Sequence, residues 1–207
     1  MKMANVIADY MSKSNEVFMQ KIAKFEKVSY EQFKKDFMNT LGGWFLVYID
    51  ELPFSFNDPD SSAVETKIRE IYDKIKIPER ATSGSAGYDF FAPFKIHLEP
   101  NKTIKMPTGI RVKIDDGWVL QCYPRSGLGF KYRMQLDNTV GIIDSDYYNS
   151  DNEGHIMAKL TNDGNEGKTI DIEEGKGYMQ GIFVPYGITE DDDATGIRNG
   201  GFGSTTK

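Results

Sequence analysis

The chain has 207 residues, 39% hydrophobic, 27% charged and 13% aromatic, with a net charge of −6; this is the balance of an ordinary globular protein, not of a disordered or membrane chain. A lone cysteine, Cys122, rules out an internal disulfide, and two histidines, His97 and His155, are too few for a zinc cluster, which removes zinc hydrolases and zinc deaminases. The acidic charge argues against broad nucleic-acid binding, which needs a basic face to release counterions, but leaves open a phosphorylated small molecule met by local arginines.

The length predicts one catalytic domain plus an extension. Residues 1–60 read as a mainly helical extension: Val6, Ile7, Tyr10 and Met11, then Val17, Phe18, Ile22 and Phe25, fall at helical spacings. Asp9 stands where a signal peptide would be apolar, and the longest apolar run, residues 44–49, is far too short to span a bilayer. A cytoplasmic protein with no membrane contact is expected. Ser29 opens a capping box with Gln32, and the helix it starts is expected to stop at Gly42 or Gly43. Residues 44–52 (WFLVYIDEL) suit a short strand, and a loop through Asn57, Pro59 and Ser62 marks a boundary. Residues 63–73 offer a capping box from Ser62 to Glu65, yet Thr66, Ile68 and Ile71 favour an entry strand, which is the reading taken.

From Lys74 onward, short apolar runs alternate with Gly, Pro, Asn and Asp, which predicts a sandwich or barrel of many short strands. Residues 61–186 are expected to form this domain, and residues 187–207, acidic and then glycine-rich, a flexible C-terminal arm. The acidic run 191–193 reads as solvated linker, with no metal assigned to it.

Five segments carry possible chemistry. Residues 80–92 (RATSGSAGYDFFA) form a Gly-Ser loop entering a strand, with Asp89 either functional or an ordinary turn residue. In residues 124–129 (PRSGLG), Arg125 supplies a charged fork, and Ser126 with glycine-flanked amides supplies donors; this suits a phosphate, or else a hairpin turn with a surface arginine. Residues 138–147 (NTVGIIDSDY) put Asp144 directly after Ile142 and Ile143, where a rigid carboxylate suits a general base; the alternative has Asp144 capping a turn and Tyr147 merely packing. Asp146 would point to the opposite face if the strand continued, and is expected to be exposed. Residues 175–186 (GKGYMQGIFVPY) read as a turn into a core strand, and residues 198–205 (RNGGFGST) as a tail that either covers a ligand or carries no order.

In this order the five segments resemble the five motifs of the trimeric, all-β dUTP pyrophosphatase (dUTPase) family, spanning residues 80–205. The resemblance implies a jelly-roll-like β-barrel, three copies of which share their active sites, and an enzyme that cleaves dUTP to dUMP and pyrophosphate, removing dUTP and supplying dUMP for thymidylate synthesis. It places Asp144 as the carboxylate that activates water for in-line attack on the α-phosphorus, Tyr147 against the deoxyribose, and Asn138 with Gly141 at the uracil side. Arg125, Ser126, Gly127 and Gln180 would meet the phosphates, with Asp89 organising bound water behind them. Arg198, Phe202, Ser204 and Thr205 would close over the nucleotide, Phe202 stacking on uracil. Magnesium is implied as a cation carried by the phosphates and water, with no protein ligands.

Two features depart from the family pattern. Many members have an arginine shortly before the fourth-motif glutamine, but here Lys176, Gly177, Tyr178 and Met179 precede Gln180. Arg198 also lies one residue nearer its phenylalanine than in many members. Two rivals stay in view. A dCTP deaminase of related fold needs a glutamate where this chain has Lys159. A regulatory protein would use residues 1–60, which lie outside the resemblance, to capture a partner.

Overall fold

The computed structural model describes residues 20–41, apart from the Leu41 side chain, and residues 62–200. The expectations for residues 1–19, for the strand at 44–52 and for the loop after it, and for Phe202, Ser204 and Thr205 lie outside the described residues.

Eleven strands in the described residues pair only antiparallel, in four small sheets. The largest holds β2 (Tyr88–Phe91), β11 (Gly177–Pro185), β6 (Trp118–Pro124) and β8 (Gly141–Ile143), in that order. A second sheet holds β4 (Thr103–Pro107), β9 (Met157–Asn162) and β7 (Met134–Leu136). The pairs β3 (Ile96–Leu98) with β10 (Ile170–Ile172) and β1 (Ala23–Lys27) with β5 (Ile110–Ile114) complete the set. Alternation produces the closed core: Ile110, Val112 and Ile114 are buried while Arg111 and Lys113 turn outward. This is the all-β fold that the short runs implied and the jelly-roll-like barrel that the resemblance implied.

The N-terminal segment departs from the helical reading in one place. Ile22 and Phe25 do not lie on a helix, because residues 23–27 form strand β1 on the edge of β5. Pairing overrides propensity there, since Phe25 gains ring contacts with Tyr88, Phe90 and Phe183 at centroid distances of 5.3–5.7 Å. Helix α1 (Tyr30–Leu41) follows, ending beside the expected glycine stop. Ser29 Oγ accepts from the Gln32 backbone N–H at 3.1 Å, half of the capping box. The reciprocal half is replaced: the Ser29 backbone N–H donates to Glu153 at 2.7 Å, and the Gln32 side chain turns to Asp36.

The entry strand read over 63–73 is instead helix α2 (Ser62–Lys74). Its buried residues are Val64, Ile68 and Ile71, spaced four and three apart, so the Ile68–Ile71 spacing carried the helical signal and Thr66 was misleading; Thr66 bonds back to the Ser62 carbonyl on the exposed face. Both helices join the barrel's core. Phe33, Phe37 and Ile68 are fully buried in the same cluster as Met106, Leu120 and Leu160. Phe33→Ala is therefore expected to cost about 3–5 kcal/mol in denaturant unfolding, and a cost below about 1 kcal/mol would mean that α1 is not part of the core.

Candidate active site

The residues singled out from sequence fall into two groups. In the first, Asp89 on β2 sits opposite Gln180 on β11, which in turn faces Tyr123 on β6. The Gly-Ser loop before β2 is held by Arg80, whose guanidinium donates to the carbonyls of Ser83 and Ser85. Gly87 is packed under the Gln180 amide, where an added Cβ would meet Oε1 at 2.7 Å. Arg125 stands between the end of β6 and a short helix, α3 (Ser126–Tyr132), as its N-cap, so this segment is a strand-to-helix turn and not a hairpin. Arg125 Nε lies 3.3 Å from Asp89 Oδ1, and its Nη1 donates to the Gly177 carbonyl at 3.4 Å. A cleft of about 700 Å³ is lined by Arg125, Ser126 and Gln180 together with Tyr123, Phe130 and Arg133. The Leu128 and Gly129 N–H groups donate to the Arg125 carbonyl at 3.0 Å, which leaves the Arg125 guanidinium with Ser126 and Gly127 at the start of α3 to suit a phosphate. The arginine missing ahead of Gln180 leaves Gly177, whose lack of a side chain makes room for the Arg125 guanidinium 2.7 Å from where a Cβ would stand.

The second group surrounds a cleft of about 680 Å³ lined by Asn138, Gly141, Asp144, Tyr147 and Arg198, with Cys122 and Met179 at its floor. Asn138 is on the turn between β7 and β8, where Thr139 takes a left-handed φ of +61°. Gly141 pairs with Cys122, and a Cβ there would stand 3.2 Å from Cys122 and 3.6 Å from the Asn138 amide, narrowing the cleft. Strand β8 ends at Ile143, and the chain turns into a 3-10 helix over Ser145–Asn149. Asp144 caps that turn through its backbone carbonyl, which accepts from the Tyr147 N–H at 3.2 Å, while its side chain makes no capping bond and stays with the cleft.

The turn also corrects the placement of Asp146. It does not face away from Asp144, because both carboxylates hold one guanidinium: Arg198 Nη2 donates to Asp144 at 2.5 Å and Nε to Asp146 at 2.7 Å. Arg198 thus lies with the carboxylates and not with Arg125 and Ser126. Tyr147 is buried except for 6% of its surface. Its hydroxyl donates to the His155 carbonyl and accepts from the Asn152 amide, both at 2.8 Å. Burial pushes the phenol upward, against the Asn152 hydrogen bond, so it stays a neutral donor. Burial pushes the Cys122 thiol up to about 12, which leaves no thiolate nucleophile on the cleft floor.

The two clefts divide neighbouring residues between them: Cys122 and Met179 line one, Tyr123 and Gln180 the other. Side chains alternate along a strand, so the clefts open on opposite faces of the β6–β11 pair. Sequence reasoning missed the residues that hold Tyr147, namely Asn152 and His155, for no local pattern ties them to the tyrosine.

The dUTPase family model matches residues 73–206. A deoxyuridine 5'-triphosphate nucleotidohydrolase of Lactococcus lactis is 40% identical over 134 residues, covering 63% of this chain and 88% of the relative. One from Escherichia coli K12 is 41% identical over 138 residues, covering 63% and 87%. The crystal structure of dUTPase from Streptococcus mutans aligns with a TM-score of 0.50 at 33% identity, covering 57% of this chain and 91% of that one. These relatives place the chain in the class of nucleotide hydrolases built on an all-β, jelly-roll-like barrel. The chain belongs to the dUTPase family.

Proposed function

We propose that this protein hydrolyses dUTP to dUMP and pyrophosphate, with Asp144 activating the water that attacks the α-phosphorus. The observation that carries the reading is the cleft in which Asn138, Gly141, Asp144 and Tyr147 converge on one nucleotide-sized space. Each then has a separate task. The Asn138 amide offers one donor and one acceptor to the uracil edge, which cytosine would meet with the wrong polarity. Tyr147, its hydroxyl already satisfied by His155 and Asn152, presents its ring to the deoxyribose and leaves no room for a 2′-hydroxyl. Asp144, uncommitted to capping, takes a proton from the water as it attacks in line, and pyrophosphate leaves.

The phosphates would be held by Arg125, Ser126, Gly127 and Gln180, with Asp89 fixing Arg125 and nearby water. Because these residues open on the face opposite Asp144, the reading requires a second copy of the chain to complete each site, in keeping with a homotrimer. Arg198 would exchange the two aspartates for the triphosphate, an anion of about four charges at neutral pH, as the arm carrying Phe202, Ser204 and Thr205 closes. Residues 1–60, 61–186 and 187–207 then serve as extension, catalytic domain and arm.

Magnesium would arrive as part of the substrate. The cation would be borne by the phosphates and water, as magnesium's reluctance to dehydrate favours; among the described residues no group of three or more His, Cys, Asp or Glu is disposed to hold a metal ion. It supplies charge neutralisation on the triphosphate; the chain's residues orient the base, the sugar and the water.

A pyrophosphate-release assay over the common nucleoside triphosphates with magnesium tests the reading. Release from dUTP, with UTP, dCTP and dTTP at least about 10²-fold slower in kcat/KM, is expected. Ammonia from dCTP, or equal turnover of UTP, would contradict it. Lys159 engages Asp137 at 2.7 Å, which gives no carboxylate at that position for deamination.

A further inference from the structure

The segment that precedes the family match reaches the catalytic cleft from behind. His155, fully buried, joins helix α1 to the loop that carries Tyr147. Its Nε2 accepts the Gly109 backbone N–H at 2.8 Å, so the ring proton sits on Nδ1, which donates to Asp36 on α1 at 2.6 Å. Burial opposes charge on Asp36, but hydrogen bonds from His155 and Gln32 outweigh it and hold the carboxyl below its usual range. The backbone carbonyl of this same His155 receives the Tyr147 hydroxyl.

Two more contacts clamp the loop to the same segment. Glu153 takes hydrogen bonds from the Ser29 N–H and Oγ at 2.7 and 2.6 Å, and the Tyr148 hydroxyl donates to Glu26 on β1 at 2.6 Å. The loop has little freedom of its own. Gly154 has φ +69°, and a Cβ there would stand 2.7 Å from the Tyr147 carbonyl oxygen.

We propose that residues 26–36 are a positioning element for Tyr147, with Asp36 acting through His155 to fix the ring that excludes a 2′-hydroxyl, so that selectivity for deoxyribose depends on the N-terminal segment. The inference rests on the reading of Tyr147 as the sugar contact. Catalysis by the Asp144 carboxylate is a separate matter, since that side chain is held by Arg198 and makes none of these contacts. A displaced ring costs selectivity because dUTP and UTP differ only at the position it guards; misplacements of about 1 Å change rates by as much as about 10²-fold.

The test is the ratio of kcat/KM for dUTP over UTP, measured with both substrates on one preparation of full-length protein, so that any loss of folded fraction cancels. Asp36→Ala is expected to lower the ratio about tenfold. Asp36→Asn, whose amide oxygen still accepts from His155 Nδ1, should stay within about twofold of the parent. Glu153→Asn, too short to reach Ser29 yet suited to the left-handed φ of +57° at that position, disturbs the contacts of Glu153 with Ser29 and Arg111 and carries the test even if Asp36→Ala does not fold; it should lower the ratio about threefold. Tyr147→Ala separates the two claims. A ratio unchanged by Asp36→Ala and by Glu153→Asn, but lost in Tyr147→Ala, overturns the positioning role alone. A ratio unchanged in Tyr147→Ala overturns the sugar reading and this inference with it.

Discussion

Asp144→Asn is expected to lower kcat for dUTP by about 10²–10⁴-fold while the affinity for a non-hydrolysable dUTP analogue changes by less than about threefold. The asymmetry follows from geometry. Base, sugar and phosphate contacts belong to Asn138, Tyr147 and the Arg125 face, and none of them runs through the Asp144 carboxyl. The amide keeps the size of the carboxylate and still caps the 3-10 turn, because that cap uses the backbone carbonyl. What it loses is the capacity to take a proton. One further effect runs the other way: the parent's Asp144 is paired with Arg198 at 2.5 Å, so the amide weakens one of the two carboxylate contacts on the guanidinium, the other being Asp146, and tends to tighten nucleotide binding. Single-turnover pyrophosphate release and calorimetric titration of the analogue measure the two quantities. Turnover close to that of the parent would remove Asp144 from the mechanism.

Arg125→Ala is expected to abolish most of the activity as well, about 10²-fold in kcat/KM, and pairing it with Asp144→Asn tests how the site is assembled. Within one chain the two side chains open on opposite faces of the β6–β11 pair. If each site takes Arg125 from one copy and Asp144 from another, co-refolding the two variants in equal amounts leaves half the Arg125 groups and half the Asp144 groups intact. Random assembly then restores roughly a quarter of parental activity. Sites built within one chain would give only the small residual rates of the two variants. Recovery near a quarter also requires an oligomer, so its size in solution is measured on the same sample.

The barrel was legible because each strand is short, alternates, and is punctuated by Gly, Pro, Asn or Asp; Ile110, Val112 and Ile114 show the pattern plainly. The site was legible for a different reason. Taken singly, the segment around Asp144 fits a turn as well as a base, and only its order among four companions gave it meaning. The structure puts Asp144 at the cap of the 3-10 turn, as the plainer alternative had it, but through the backbone carbonyl; its side chain makes no capping bond.

What could not be read depends on contacts between distant segments. Phe25 is in a strand because β5 offers it an edge and three aromatic rings, none of them local. Residues 62–74 were misjudged because in so short a stretch Thr66 and Ile68 imitate alternation, while the partners that make the helix worthwhile, Phe33 and Phe37, lie far back in the chain. Asp146 was misplaced by extending a strand that stops at Ile143. Asp36 and His155 carry no mutual signal at all, yet they join the N-terminal segment to the tyrosine of the cleft.

Hydrolysis of dUTP in oxygen-18 water tests most directly the claim that Asp144 aims a water at the α-phosphorus. Mass spectrometry of the products should find one labelled oxygen in the phosphate of dUMP and none in pyrophosphate. Label in pyrophosphate instead would mean attack at the β-phosphorus and would contradict the role given to the Asp144 cleft.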